Sequence, residues 1–336
     1  MITLNVNASK FYSIFVAKTD AEFPVKPFQG KKVCIVSDSN VAPLYLNNYA
    51  KKLTESQVFS YVIPAGESSK SAENFVKIHS FLAENEFTRG DILLALGGGV
   101  VGDLTGFVAS TYMRGIAYYQ IPTTLLAMID SSVGGKTAID LPEGKNLVGS
   151  FYQPSGVYVD LSALHTLPKA EMENGMGELV KYAFLDKEIT VEDLQGGITD
   201  VLISKCLSVK IAIVEADERE GGKRMLLNLG HTVGHAIENL SGYTVPHGAC
   251  VAKGLSFAIA VSKSVYGLPD EKVAEMQNLL QFSGIDLSCP YKKEEILALI
   301  RRDKKAKHDG VDFVLIKDIG CCEIKRMDFS VLENIL

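Results

Sequence analysis

The sequence is poor in several features that identify classes of protein. It has no tryptophan, and its six cysteines form no C-x-x-C pair, although Cys321 and Cys322 are adjacent. We therefore expect free thiols, mostly in the core, in a reducing compartment. No run of about eighteen apolar residues is uninterrupted, and the chain does not open with a basic segment followed by an apolar one. These absences predict a cytoplasmic protein that does not span a membrane.

A strong charge of either sign is also missing. The formal net charge is −6 over 336 residues, which provides no general attraction to nucleic acid or to an anionic membrane. A phosphate-bearing substrate would have to be held by cations placed locally. The hydrophobic content of 47% is ordinary for a globular protein, and the length suits two domains.

Strand and helix patterns change along the chain. Short apolar runs at 32–37, 59–63, 91–96 and 118–121 alternate with helical patterns such as 71–85, which predicts a doubly wound parallel sheet. Helical periodicity dominates after residue 160, at 169–185, 198–217, 227–240, 247–265, 270–282 and 293–303, with one isolated late strand at 313–316. The predicted fold class is α/β. An N-terminal Rossmann-like doubly wound domain (1–160) precedes a mainly α-helical domain (161–336), with the active site in the cleft between them.

A glycine-rich segment follows the predicted strand at 91–96 and opens a helical pattern. Gly97-x-Gly99-x-x-Gly102 fits the dinucleotide fingerprint, in which glycines let backbone amides approach a pyrophosphate at a helix N-terminus. No acidic residue stands about 20 positions later to hold a ribose, as the fingerprint requires. The pattern favours a phosphate loop in a variant nucleotide fold, and the alternative is a plain tight turn.

Cations occur beside small residues in the same half of the chain. Asp130-Ser-Ser-Val-Gly-Gly-Lys136-Thr resembles a Walker A loop, but Asp130 occupies the position of the required first glycine. The segment is therefore interpreted as a small-residue loop that presents Lys136. With Lys145 and Arg114, it is typical of a phosphate or carboxylate pocket, and the alternative is scattered surface charge.

Histidines concentrate in the second half. His231 and His235 have i, i+4 spacing, so a helix would project both rings from one face, and His247 follows in the next segment. The pattern is not H-E-x-x-H, which disfavours a zinc protease. Glu178, paired with Lys181 at i, i+3 among apolar neighbours, is our candidate for a further ligand in a Glu-His-His set with an open position. The alternatives are surface histidines and a solvated Glu–Lys pair.

Several long segments together resemble the 3-dehydroquinate synthase family of sugar-phosphate cyclases. They are GGGVVGDLTGFVASTYMRG at 97–115, PTTLLA at 122–127, DSSVGGK at 130–136, GKN at 144–146, GELVK at 177–181 and LLNLGHTVGH at 226–235. The resemblance runs in order over nearly the whole chain. It implies the conversion of 3-deoxy-D-arabino-heptulosonate 7-phosphate to 3-dehydroquinate and phosphate. The implied route is transient oxidation by NAD, β-elimination of phosphate, re-reduction, ring opening and aldol closure.

The resemblance also implies cofactors, an assembly and site residues. The cofactors are NAD and a divalent metal, usually zinc with cobalt possible, and the assembly is a homodimer in which Arg114 reaches the neighbouring subunit's site. The implied metal ligands are Glu178, His231 and His247. The implied catalytic residues are Asp130, Lys136, Lys181, Asn228 and His235, and the implied substrate contacts are Arg114, Lys145, Asn146, Lys210, Arg224 and Lys304 or Lys305. The implied NAD contacts are Asp38, Asn40, Glu67, Lys70, Gly98, Gly99, Asp103, Thr123, Thr124, Lys136, Lys145, Thr166 and Glu171.

Three positions depart from the family pattern, and three other functions compete with the implied one. Met128, Asp140 and Ala183 stand where Gln, Asn and Gly are common, which bears on fine specificity. A polyol dehydrogenase of the glycerol dehydrogenase type would have little use for so many cations. A sibling cyclase such as 2-deoxy-scyllo-inosose synthase tends to alter the positions of Asn228 and His235. A catalytically silent NAD-binding regulator would not need an intact ligand set.

Overall fold

The structure is a computed structural model that describes residues 1–301, 306–307 and 310–335, with the backbone alone at 306–307. The chain divides into two units, Met1–Leu167 and Pro168–Leu336. The division falls a few residues beyond the boundary predicted at residue 160, after the 3₁₀ turn Leu161–Thr166. The expected cleft site stays a prediction.

The first unit contains nine strands and three helices. The strands are β1 (Ile2–Asn7), β2 (Phe11–Ala17), β3 (Lys32–Asp38), β4 (Gln57–Ile63), β5 (Ile92–Gly97), β6 (Ala117–Pro122), β7 (Lys136–Leu141), β8 (Gly144–Phe151) and β9 (Gly156–Asp160), and the helices are α1 (Asn47–Lys52), α2 (Ala72–Glu84) and α3 (Gly99–Thr111). Seven strands form one sheet in the order β1-β2-β9-β6-β5-β3-β4. Only β1 runs antiparallel to its neighbour in this sheet, so the doubly wound α/β prediction is confirmed.

Burial on both faces explains why the central strands are apolar without interruption. Cys34 and Leu93 face one core cluster with α2 and α3, whereas Ile35 and Leu94 face another on the opposite side. Successive strand residues point to opposite faces, so a strand covered on both sides must be apolar at every position. This architecture leaves the ends of the strands as the places where polar groups gather.

β7 and β8 form a separate two-stranded hairpin that packs against α3. The sequence predicts a loop at Lys136, and this prediction is wrong, because Lys136 is the first residue of β7 and pairs with Phe151 of β8. Small residues without strand periodicity hid the hairpin from the sequence pattern.

The second unit is mainly helical. Its helices are α4 (Lys169–Leu185), α5 (Val191–Gln195), α6 (Asp200–Ala216), α7 (His231–Leu240), α8 (His247–Tyr266), α9 (Asp270–Gln281), α10 (Lys293–Ile300) and α11 (Phe329–Ile335). A helix lies in each predicted segment, and the bounds of α4 match the prediction at both ends. The last residues of the helix predicted at 293–303 lie outside the described residues. The segment before α7 forms a 3₁₀ turn, Lys223–Asn228, instead of extending the helix.

The late strand predicted as isolated lies in a small antiparallel sheet. β11 (Gly310–Asp318) stands between β10 (Ala306–Lys307) and β12 (Cys321–Asp328), so the prediction of a lone strand was wrong. β12 was missed because it is half exposed and carries Glu323, Lys325 and Arg326 among its apolar residues. A charged edge strand lacks the apolar run from which β11 was recognised.

Two sequence expectations concern the cysteines and the membrane. All six cysteines are free thiols, and Cys34, Cys206 and Cys250 are buried. By length and composition alone, α8 could cross a membrane, and 56% of its apolar window is buried inside the structure. Its residues Val251 and Leu255 are fully buried in the helical unit, as in a core helix.

Candidate functional site

Glu178, His231 and His247 converge in the second unit. The Nε2 atoms of His231 and His247 lie 3.1 Å and 3.2 Å from the same oxygen, Oε1 of Glu178. Donor atoms bound tetrahedrally to one zinc ion at ordinary bond lengths are separated by about 3.3 Å. The three side chains therefore have the mutual spacing of ligands around one small cation.

The hydrogen bonds of the two imidazoles favour a cation at this point. Nδ1 of His231 lies 3.1 Å from the carbonyl oxygen of Leu229, and Nδ1 of His247 lies 3.2 Å from Oε2 of Glu238. Each ring thus places both of its nitrogens against acceptors, whereas a neutral imidazole carries only one N–H. A metal ion between Nε2 and Glu178 would satisfy both rings, so this donor set fits a divalent metal.

Charge and burial act in opposite directions within the cluster. Burial by itself would raise the pKa of Glu178, but Lys181 and His231 outweigh it and hold that pKa well below its usual range. Burial is the main reason that the pKa of His231 is lowered. Burial also opposes charge on His247, but its hydrogen bonds with Glu178 and Glu238 prevail and raise its pKa to about 10. The ionised carboxylate and the neutral His231 are the forms that ligate metals.

Glycine contacts bring the three ligands together. A Cβ added to Gly177 of α4 would lie 2.0 Å from the carbonyl oxygen of Gly248 in α8, and one added to Gly254 of α8 would lie 1.8 Å from the carbonyl oxygen of Gly230. Each of these crossings requires glycine, because real Cβ atoms never approach oxygen so closely. Glu178, His247 and His231 directly follow or precede these glycines along the chain, so the close crossings set the spacing of the ligands.

Lys181 and His235 lie beside the cluster. Nζ of Lys181 is 2.5 Å from Oε2 of Glu178, and both side chains are 1% exposed, so this pair, which its apolar neighbours predict to be partly buried, is fully buried. Ligand-type atoms of His231, His235 and His247 all lie within 4.8 Å of one another. His235 is exposed and its ring faces those of the two other histidines. It is thus close to the proposed metal position on the solvent side.

Three further residues that were predicted to meet the substrate lie in the same unit. Lys210 of α6 is 4% exposed and Arg224 is 2% exposed, so both are buried cations. Arg224 donates from its guanidinium to the carbonyl of Glu218, while its backbone amide donates to Asp217. Asn228 donates its amide to Oε1 of Glu220 at 2.7 Å. The turn between α6 and α7 therefore holds Arg224 and Asn228 in defined positions.

Two acidic residues near these groups escaped the sequence analysis. Glu238 contacts His247, and Glu220 contacts Asn228. Glu238 stands seven positions after His231, so helical periodicity places it on the face of α7 that carries His231 and His235. That spacing was the available signal, whereas Glu220 lies in an irregular turn that gave none.

Predicted NAD contacts of the first unit gather where parallel strands end. Asp38 is the last residue of β3 and Asn40 follows it, Gly98 and Gly99 follow β5, and Thr123 and Thr124 follow β6. This carboxyl edge is where ligands bind in open α/β sheets. Thr123 is buried at 4% exposure, whereas Asn40 is exposed.

The glycine segment has the form that the fingerprint predicts. β5 ends at Gly97 and α3 begins at Gly99, with Gly98 as a cap residue that provides no side-chain hydrogen bond. A Cβ added to Gly98 would lie 3.0 Å from Thr124, and one added to Gly99 would lie 3.1 Å from Ser131. Glycine at both positions avoids tight contacts with these side chains, and backbone amides at an uncapped helix N-terminus attract phosphate, so the segment fits a dinucleotide.

Lys70 organises a polar cluster nearby. Its Nζ lies 2.6 Å from Asp103 and also donates to Oδ1 of Asn146, while Glu67 is 3.9 Å away. Burial by itself would lower the pKa of Lys70, but Asp103 and Glu67 outweigh it and raise that pKa. Four residues predicted to contact NAD or substrate are thus brought together. Asp140, one of the departures from the family pattern, accepts a hydrogen bond from the backbone amide of Asn146 at 2.7 Å.

The remaining predicted residues are more dispersed. Asp130 lies in the π-helical turn Ala127–Ser131, Lys136 and Lys145 lie on the hairpin, and Thr166 contacts Tyr45. Arg114 is exposed in a turn where Met113, Arg114 and Gly115 all have positive φ. Positive φ is uncommon for residues other than glycine, such as Met113 and Arg114. Glu171 lies in the first turn of α4, in the second unit. Lys304 and Lys305 lie outside the described residues.

Two solved structures share this fold closely over nearly the whole chain. A 2-deoxy-scyllo-inosose synthase complexed with carbaglucose-6-phosphate, NAD+ and Co2+ has a TM-score of 0.88 at 24% identity, covering 99% of each chain. The 2-epi-5-epi-valiolone synthase of Streptomyces hygroscopicus subsp. jinggangensis, with NAD+ and Zn2+ bound, has a TM-score of 0.88 at 22% identity, covering 99% of this chain and 97% of that one. The fold is therefore that of the sugar-phosphate cyclases.

Sequence comparisons identify the family within this class. The 3-dehydroquinate synthase N-terminal family matches residues 60–174, and its C-terminal counterpart matches residues 175–306. The 3-dehydroquinate synthase of Clostridium acetobutylicum is 41% identical over 335 residues, covering 94% of each chain. The chain belongs to the 3-dehydroquinate synthase family.

Proposed function

We propose that this chain converts 3-deoxy-D-arabino-heptulosonate 7-phosphate to 3-dehydroquinate and phosphate. The observation that carries the proposal is the Glu178–His231–His247 cluster, complete and correctly spaced in a chain that belongs to this family over most of its length. The reaction is the second step of the shikimate route to aromatic amino acids.

NAD and a divalent metal are the cofactors of the proposal, with zinc as the metal and cobalt as a substitute. The solved cyclases with NAD+ and Co2+ or Zn2+ support this assignment. Glu178, His231 and His247 would hold the metal, and the carboxyl edge of the first unit would hold NAD. When bound, NAD exchanges a hydride with the substrate, and the metal stabilises negative charge on a substrate oxygen.

Cationic side chains are proposed to hold the two anionic ends of the substrate. The candidates are Arg114, Lys136, Lys145, Lys181, Lys210 and Arg224. Lys181, Lys210 and Arg224 are buried, and charges desolvated in this way interact more strongly with an anion than exposed charges do. An overall acidic chain can therefore bind a phosphate and a carboxylate, because the attraction is local.

Proton transfer is assigned to His235, with Asn228 and Asp130 orienting substrate hydroxyl groups. His235 suits this role because it is exposed beside the buried His231 and close to the metal position. An imidazole ring can both accept and donate a proton, as this role requires. A homodimer in the cytoplasm, with Arg114 reaching the neighbouring subunit's site, completes the proposal.

Phosphate release from 3-deoxy-D-arabino-heptulosonate 7-phosphate tests this function. We expect release with NAD in catalytic amount, inhibition by a chelator, and no accumulation of NADH absorbance. Accumulating NADH would instead identify a dehydrogenase. No turnover on this substrate, with turnover on another sugar phosphate, would identify a sibling cyclase.

A further inference from the structure

Glu238 is an acidic residue of α7 that none of the roles assigned above uses. Its side chain is 10% exposed, and its Oε2 atom lies 3.2 Å from Nδ1 of His247. Burying a carboxylate is costly unless hydrogen bonds or opposite charge compensate for the lost water. The contact with His247 is one interaction that compensates for this cost.

The two imidazoles of the metal cluster are held in parallel ways. Nδ1 of His231 faces the carbonyl oxygen of Leu229, and Nδ1 of His247 faces Glu238. In both rings the acceptor at Nδ1 fixes an orientation in which Nε2 faces Glu178, and with a metal bound there Nε2 would be the unprotonated nitrogen. The difference is that the partner of His247 is a side chain, and a substitution can remove it.

The need for such a partner is greater at His247. His247 is the first residue of α8, and its side chain is 32% exposed, compared with 11% for His231. A partly exposed side chain at a helix end has more rotational freedom than one enclosed by packing. A hydrogen bond from a buried carboxylate restricts the ring to the orientation in which Nε2 faces the cluster.

We propose that Glu238 is a positioning residue for His247, and this inference rests on the metal site of the proposed function. Glu238 holds Nδ1–H, orients the imidazole and increases the basicity of Nε2 through its negative charge. It acts through His247 and does not itself contact the metal.

Cobalt titration of the metal-free full chain tests the proposal. Glu238→Ala removes both the hydrogen bond and the charge, and we expect cobalt affinity to fall about 10- to 100-fold. Glu238→Gln keeps an acceptor but loses the charge, and we expect a loss of several-fold. Affinity is measured by competition with a coloured chelator, and the visible absorption spectrum of bound cobalt reports the ligand geometry. We expect that spectrum to change in both variants.

Asn239→Ala is the matched control, because Asn239 is the next residue of α7 and is exposed, and its amide contacts Tyr243. It should retain wild-type affinity and spectrum. The inference is overturned if folded Glu238→Ala binds cobalt with unchanged affinity and spectrum. If that variant does not fold, the nearly isosteric Glu238→Gln decides in the same way. A wild-type chain that binds no cobalt or zinc would instead refute the metal site of the proposed function.

Discussion

Charged side chains of this chain differ in how much they contribute to stability, and this contribution depends on how deeply they are buried. Lys77–Glu73 and Lys263–Asp270 are largely exposed pairs, whose contribution to stability is small. Glu178 and Lys181 are both 1% exposed, and burying either charge without the other would be costly in free energy. Because Lys70 and Asp91 are also buried, their partners should matter for the stability of the first unit.

Replacing His231 should abolish metal binding while leaving the NAD site intact. His231→Ala removes one of three ligands, so we expect metal affinity to fall by more than about 100-fold, beyond the loss typical of an outer-shell change. Metal content after dialysis and NAD binding by fluorescence measure the two effects. His165→Ala, at an exposed histidine of the first unit, is the control. Full activity of a metal-free His231→Ala protein would refute the ligand assignment.

Asp91 should stabilise the start of β5, and its effect should depend on pH. Asp91 accepts hydrogen bonds from the Thr88 amide at 2.7 Å, the Thr88 hydroxyl at 2.8 Å and the Lys32 amide at 3.0 Å. Burial would raise the pKa of Asp91, but these bonds outweigh it and lower that pKa below 3.8. Its contribution is therefore present above about pH 4 and lost as the pH falls through the lowered folded-state value.

We expect Asp91→Ala to reduce the free energy of unfolding by about 2–3 kcal/mol at pH 7, because charged hydrogen bonds are lost. Urea unfolding at pH 7, 5, 4 and 3 measures the difference from wild type, which should shrink only at the lowest pH. Asp270→Ala, at a largely exposed carboxylate, should leave stability nearly unchanged. A difference that grew on acidification would contradict the assignment.

The helices that carry the metal ligands depend on glycine at their crossings. Gly254 of α8 meets the backbone of Gly230, and Gly177 of α4 meets that of Gly248. Helical periodicity located these helices well, and it gave the bounds of α4 correctly. It could not indicate which helices cross, because a crossing depends on residues far apart in the sequence.

Gly254→Ala should separate α7 from α8. The added Cβ would lie 1.8 Å from the carbonyl oxygen of Gly230, so the helices must move. We expect a loss of about 3 kcal/mol in the free energy of unfolding, as for overpacked cores, together with weaker cobalt binding in the folded fraction. Thermal unfolding and cobalt titration measure both.

Gly196→Ala is the control for this prediction. Its Cβ would stand 3.4 Å from its nearest neighbour, and its backbone has ordinary helical angles. A Gly254→Ala protein with wild-type stability and cobalt affinity would show that the crossing does not set the ligand spacing.

The division of the chain into two units, Met1–Leu167 and Pro168–Leu336, assigns different ligands to different parts. The proposed metal ligands all belong to the second unit, and the glycine segment of the proposed NAD site belongs to the first. Binding of each ligand should therefore stabilise a different set of backbone hydrogen bonds.

Hydrogen exchange of the full chain measures this separation. We expect zinc to protect amides of α4, α7 and α8, and NAD to protect the segments that follow β3, β5 and β6. In His231→Ala, the protection by zinc should disappear while that by NAD remains. Protection by NAD found mainly around the histidine cluster would contradict the assignment.

The amino-acid sequence by itself determined the local features of this protein. It predicted the alternating strands and helices of the first unit, the helices of the second, the glycine segment after β5 and the i, i+4 histidines, because all of these depend on residues close in the chain. The family resemblance added the three metal ligands, which helical spacing alone left undecided.

The tertiary structure decided the relations between distant segments. It paired β11 with β12, placed Lys136 on a hairpin, joined Lys70 to Asp103 and Asn146, and brought Glu238 to His247. These contacts arise from packing between elements, which no periodicity within one element records. The physical reason is that local patterns specify which face of an element is buried, whereas the packed core selects the partner that covers it.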